Sequence, residues 1–193
     1  MDRQDLPAGR IDDSGQVAVS GAPGGGIVVP AEAPWYAVWT RSRAEKAVAE
    51  QLDHRRIEVF LPTVQRWSRW KDRRKKIDWP LFPGYLFARF DERAALDVLR
   101  CTGVSTIVSF NHAFAPIPHA EIEAIQRIVQ SELQYDPCPL LHEGDVVEVV
   151  HGPLRGVTGR LLHKGLDTTL VVSIIMINRA VAVKLDVADV RKY

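Results

Sequence analysis

The chain has 193 residues, enough for one ordinary domain or two small ones. Its 46% hydrophobic and 25% charged residues fit a folded globular protein, and a net charge of +1 gives no whole-chain case for nucleic-acid binding. Cys101 and Cys138 stand far apart, which argues against a disulfide framework or a structural zinc site. No apolar run has the length of a membrane span and no signal-peptide stretch opens the chain, so the expectation is a cytoplasmic protein without membrane contact.

Residues 1–33 are rich in Gly, Pro, Asp and Ser and poor in large apolar groups, so they read as a disordered tail. Gly24, Gly25 and Gly26 are not followed by the Lys-Ser/Thr of a phosphate loop. Trp35 to Thr40 reads as a strand. Ser42 and Glu45 have the spacing of a capping box, and Ala44, Ala47, Val48 and Leu52 recur on one face of the helix it would open. Val59 to Leu61 reads as a second strand, stopped by Pro62. Val64 to Trp70 and Lys76 to Trp79 read as the arms of a charged hairpin, and Tyr85 to Phe90 as a strong strand.

A short helix is expected over Glu92 to Arg100 with Ala95, Leu96 and Leu99 inward, then a strand from Val104 to Phe110. Pro118 opens a helix whose Ile122, Ile125, Ile128 and Val129 form the buried stripe. Tyr135 to Pro139 carries two prolines and no periodicity, which marks a linker and a domain boundary. Leu141 to Tyr193 is rich in Val and Ile and cut by glycines, the pattern of a small β-barrel. The strongly β-favouring Val171 to Ile175 predicts a β-barrel there and not a helical hairpin. The fold class is therefore α+β, a mostly antiparallel sheet with flanking helices followed by the barrel. The expected organisation is tail 1–33, first domain 34–134, linker 135–140 and second domain 141–193.

Two stretches in this order resemble the NusG family. One is Trp35-Tyr36-Ala37-Val38 followed by Phe82-Pro83-Gly84-Tyr85-Leu86-Phe87. The other runs Gly144-Asp145-Val146-Val147-Glu148-Val149, then Gly152-Pro153-Leu154, Gly156 and Gly159, and is similar to the KOW motif of an SH3-like barrel. The likeness spans about residues 34–193. It implies a non-enzymatic transcription elongation and antitermination factor, monomeric and without cofactor, whose first domain docks on the β′ clamp helices of RNA polymerase and suppresses pausing. Trp35, Tyr36, Phe82 and Tyr85 would supply the docking depression, or would simply be core.

Between Arg66 and Lys76 lie seven basic residues and one acid. Arg66, Arg69, Lys71, Arg73, Arg74, Lys75 and Lys76, interleaved with Trp67 and Trp70, suit a single strand, with charges on phosphates and rings on bases. Strand alternation puts the two tryptophans on opposite faces, so at most one is free for a base; Trp70 is the candidate. In the family this region faces upstream and non-template DNA. Met176, Ile177 and Asn178 fall where relatives expose a loop that recruits a termination factor or a ribosomal protein; here Ile177 and Asn178 stand in place of the Phe-Gly of housekeeping members. That departure, the tryptophan-rich hairpin and the N-terminal extension point to a specialised, operon-selective member. No HExxH, three-residue metal spacing or Gly-x-Ser-x-Gly elbow is present. The competing class, a KOW-bearing RNA-binding protein of the ribosome or its assembly machinery, is disfavoured by the near-neutral charge and the Phe-Pro-Gly-Tyr stretch.

Overall fold

The computed structural model describes residues 33–70, 73–140, 144–164 and 167–192. Of the expected tail, residues 1–32 lie outside this range, as does Lys71.

Trp35–Thr40 forms β1, and Glu45–His54 forms α1. The capping box does not form: the N-cap is Ala44, without a side-chain bond, and Glu45 is spent elsewhere. Glu58–Phe60 is β2, Thr63–Trp70 is β3, Arg73–Pro80 is β4 and Tyr85–Arg89 is β5. A turn of 3-10 helix, Glu92–Ala94, leads into α2, Ala95–Leu99. The expected inward set of that helix is corrected: Ala94, Ala95 and Val98 are buried, whereas Leu96 and Leu99 are exposed. Val104–Ile107 is β6, Ser109–Phe110 is β7, Ala113–Phe114 is β8, Pro116–Ile117 is β9 and His119–Gln130 is α3.

Strands β2, β5, β1 and β6 lie side by side, with β9 also paired to β1, and every pairing is antiparallel. Alternation sends successive residues to opposite faces. Tyr36 and Val38 of β1 join Leu86 and Ala88 of β5 against Val48 and Leu52 of α1 and Val98 of α2. Trp35 and Ala37 join Phe87 on the other face, beneath Ile122, Ile125 and Ile128 of α3. Both faces are thus covered, and the sheet is the middle layer of a three-layer unit. Strands β3 and β4 form a separate two-stranded ribbon.

Tyr135–Pro139 is β10, and the linker expectation for 135–140 is corrected there. It pairs antiparallel with β14 at the end of a six-stranded sheet. Pro137 and Pro139 cannot donate to a ladder, and an end strand is where a sheet tolerates them. Residues 131–134 are all that connects α3 to β10. The remaining strands are β11 (Asp145–Val149), β12 (Thr158–Lys164), β13 (Asp167–Ile174), β14 (Arg179–Lys184) and β15 (Val190–Lys192). They order as β10-β14-β13-β12-β11-β15, so 167–184 is strand apart from the 3-10 turn Ile175–Ile177 and Asn178 after it. Gly159 lets β12 approach β13 closely, since a Cβ there would sit 2.6 Å from the Val171 carbonyl oxygen.

Apolar packing continues from Trp35, Phe82 and Phe87 through α3 into Val147, Leu170, Val172, Ile174 and Val183. Polar contacts accompany it. Glu121 Oε2 accepts from the Ile175 N–H at 3.3 Å, and an Arg127 guanidinium N–H donates to the Arg155 carbonyl at 2.7 Å. The Tyr135 hydroxyl donates to the Thr63 carbonyl at 2.9 Å. Desolvation pushes the Glu121 carboxyl above its usual value, and its bond from Ile175 pulls the other way. The six-stranded sheet is therefore seated on the outer side of α3.

Candidate functional site

The docking residues expected from sequence divide sharply. Trp35, Tyr36 and Phe82 are core, each with 2% or less of its surface exposed. Trp35 donates its indole N–H to His119 at 3.2 Å, locking the start of α3 to β1. Tyr36 stacks on Phe90, and its hydroxyl donates to Glu92 at 3.4 Å. Burial, followed by the Glu92 charge, raises the Tyr36 phenol. Phe82 meets Phe87 edge-on. These three cannot offer a free face, and their assignment to one is corrected. Tyr85 alone of the four is partly exposed.

The aromatic surface lies one step along the same strands. Trp39 is 50% exposed and stands directly opposite Tyr85 in the β1–β5 register. It shares a face with Trp35 and Ala37 by alternation, yet it is open where they are buried. Sequence reading named Trp35 and Tyr36 of this strand and not Trp39, since alternation alone does not show which of its residues is left open. The burial pattern of β1, closed for four residues and open at Trp39, is what reveals it.

Phe82 to Tyr85 is the turn that shapes this end. The Tyr85 N–H donates to the Phe82 carbonyl at 3.0 Å, Pro83 occupies the second position, and Gly84 has φ +83° at the third. That is a type II turn, whose third residue needs a positive φ. Pro83 points outward and lines, with Ser42, Arg43, Lys46, Ile77 and Trp79, a groove of about 540 Å³ between the start of α1 and the foot of the hairpin. Trp79 is exposed.

The hairpin residues of the basic stretch fall on β3 and β4, in register Arg66↔Ile77, Trp67↔Lys76, Arg69↔Arg74 and Trp70↔Arg73. Arg69 and Arg74 are therefore partners in the backbone register. Lys75 is opposite Ser68. Arg66 is exposed and forms an ion pair with Asp136 of β10 at 3.8 Å.

In the C-terminal sheet the expected loop is displaced by one residue. Ile177 is buried, which corrects its assignment as a contact residue, while Ile175 and Met176 are exposed and Asn178 turns the chain with φ +53°. Asn tolerates that left-handed conformation better than most residues, so the position suits Asn178.

Cys101 and Cys138 form no disulfide, and burial raises the Cys101 thiol above its usual value. Among the described residues no group of three His, Cys, Asp or Glu could hold a metal ion. No helix among them is long and apolar enough to cross a membrane.

Residues 33–126 match the family model described as "Transcription termination factor nusG". The transcription termination/antitermination protein NusG of Helicobacter pylori strain J99 is 28% identical over 137 residues, covering 64% of this chain and 77% of that protein. The same protein of strain 26695 matches with the same identity and coverage. A solved structure of Thermotoga maritima NusG, concerned with domain interaction, is similar with a TM-score of 0.51 at 23% identity, over 83% of this chain and 97% of that one. That likeness gives the fold, an antiparallel sheet with flanking helices followed by a small barrel. Family model and relatives agree that residues 33–126 carry a NusG-type domain and that the chain is similar to NusG transcription factors.

Proposed function

We propose that this protein is an elongation and antitermination factor that docks on RNA polymerase through the uncovered end of its first sheet. Trp39 and Tyr85 are the anchors, with Pro83 and Trp79 beside them. The observation that carries this reading is Trp39, a half-exposed tryptophan directly across from Tyr85 on an otherwise closed sheet. Large rigid aromatics of that kind bury much area at low entropic cost and concentrate at interface centres. The partner surface on the polymerase is the pair of β′ clamp helices.

The remaining features have roles consistent with that position. Arg66, Arg69, Trp70, Lys71, Arg73, Arg74, Lys75 and Lys76 engage upstream or non-template DNA. Ile175 and Met176, with Asn178 shaping their turn, meet a termination factor or a ribosomal protein. The segments 34–134 and 141–193 act as the polymerase-binding and recruiting parts. The departure from Phe-Gly at Ile177 and Asn178 favours a member working on selected operons over one that follows every polymerase.

The test is binding of full-length Trp39→Ala to core polymerase and to an isolated clamp-helix fragment. We expect a loss of about 1–3 kcal/mol on both, the usual cost of truncating an interface anchor, with the melting temperature nearly unchanged. Wild-type affinity in a folded variant would remove Trp39 and the docking face with it.

A further inference from the structure

The Phe82–Tyr85 turn is held by a residue that no motif assigns to it. Glu45, in the first turn of α1, has 5% of its surface exposed, and its Oε1 accepts the Gly84 N–H at 2.7 Å. The carboxylate is thus buried against a backbone amide 39 positions away in sequence. A buried carboxylate is costly unless its hydrogen bonds are of high quality, and a bond from a backbone N–H to a charged acceptor is among the stronger kinds. The position read from sequence as half of a capping box is therefore used for a tertiary bond.

The geometry of the turn gives that bond its consequence. Type I and type II turns differ chiefly by a flip of the peptide between their two central residues, here Pro83–Gly84. In the type II form adopted here the Gly84 N–H points to Glu45, and φ at Gly84 is +83°. Flipping that peptide would turn the Pro83 carbonyl oxygen toward the carboxylate, exchanging a hydrogen bond for repulsion between two acceptors. The Gly84 carbonyl is occupied as well, accepting from the Thr40 N–H at 2.8 Å, immediately after Trp39. A Cβ placed on Gly84 would lie 3.6 Å from the Trp39 indole nitrogen. The turn, the end of β1 and the Trp39 ring form one assembly.

We infer that Glu45 is the positioning residue of the docking surface. By fixing the Pro83–Gly84 peptide in one orientation, it presents Pro83, Tyr85 and Trp39 as a single pre-shaped face. It touches no partner itself; it acts through Gly84. Removing the choice between two turn conformers before binding spares the ordering cost at the moment of association. This inference rests on the docking reading above and assigns the control of that face to a residue outside it.

The experiment uses the full-length protein and core polymerase, with the Gly84 amide followed by NMR and hydrogen exchange. In Glu45→Ala the Gly84 amide should shift upfield and lose protection, and polymerase affinity should fall roughly tenfold, as for an anchor left unplaced. Glu45→Gln keeps an acceptor at the same reach and should restore both amide protection and affinity. Should Glu45→Ala fail to fold, Glu45→Asp, one methylene too short, replaces it and should show the same two losses. A protected Gly84 amide in the folded Ala or Asp variant overturns the inference, and so does a released amide with wild-type affinity. A folded Gln variant that binds as poorly as Ala also overturns it. Trp39→Ala separates the two levels. If Trp39→Ala loses affinity and Glu45→Ala does not, only the positioning role falls. If both bind as wild type, the docking reading falls and this one with it.

Discussion

The Phe82–Tyr85 turn and the β3–β4 hairpin both reach solvent from the first half of the chain, but they are built in opposite ways. The turn is held from several sides: by Glu45 on the Gly84 N–H, by Thr40 on the Gly84 carbonyl, and by Phe82 sunk in the core. It continues into β5, which is paired on both edges. The hairpin has arms of eight residues paired with each other in a two-stranded sheet. At its foot it meets the rest of the protein through Thr63 with Tyr135 and through Arg66 with Asp136. A two-stranded ribbon is marginal in water by itself. The difference teaches that one surface is shaped before its partner arrives, while the other carries charge on a thin support. Shape complementarity suits the first and long-range attraction to phosphate the second.

The largest effect that tests this contrast is expected from Phe82→Ala. Removing a fully buried phenylalanine should cost about 3–5 kcal/mol of stability, read from a denaturant or thermal melt. Polymerase binding should then fail with the fold. A variant that melts like wild type would mean the turn is not pinned from beneath.

The hairpin should respond in another currency. Reversing Arg73 and Arg74 to Glu should leave the melt nearly unchanged and alter salt dependence instead. If about three phosphates are engaged, log affinity for an elongation complex with an open bubble falls with log salt at a slope of roughly −2 to −3. The double reversal should flatten it. Equal slopes in the two proteins would make the hairpin a solvated face.

The smallest effect is expected where hairpin and C-terminal sheet touch. Arg66 and Asp136 are both largely exposed, so Asp136→Asn should change stability by less than about 1 kcal/mol. The same change releases the Arg66 charge, and DNA affinity at low salt should rise slightly. A large loss of stability would show that the hairpin leans on this pair, and the contrast drawn above would have to be redrawn.

Much of this architecture was legible in the chain because periodicity reports what is buried on one side. The stripe Ile122, Ile125, Ile128 gave α3, and the β-branched run beginning at Val171 gave the second half of β13. Periodicity fails where burial is two-sided. Trp35 and Tyr36 point to opposite faces of a sheet covered on both, so no alternation marks either as core. On a five-residue helix the spacing cannot fix which face is inward, and Leu96 and Leu99 fell on the wrong side. Tyr135 to Pro139 reads as a linker because prolines normally exclude a strand; its place at the end of a sheet, invisible in sequence, makes them acceptable. The Phe82–Tyr85 turn was legible in Phe-Pro-Gly-Tyr, while the burial of Trp35, Tyr36 and Phe82 and the exposure of Trp39 were not. Which aromatics around it stay outside is a tertiary fact.

Residues 131–134 set a limit of a different kind. Four residues at full stretch reach about 14 Å. Even with the C-terminal sheet lifted wholly from α3, its leash is too short for it to wander. The exposed Ile175 and Met176 are thereby kept close to the first domain. On the proposed reading, a partner held there would meet any second, weak site on the first domain at a local concentration on the order of millimolar, so the short connection favours a two-point contact.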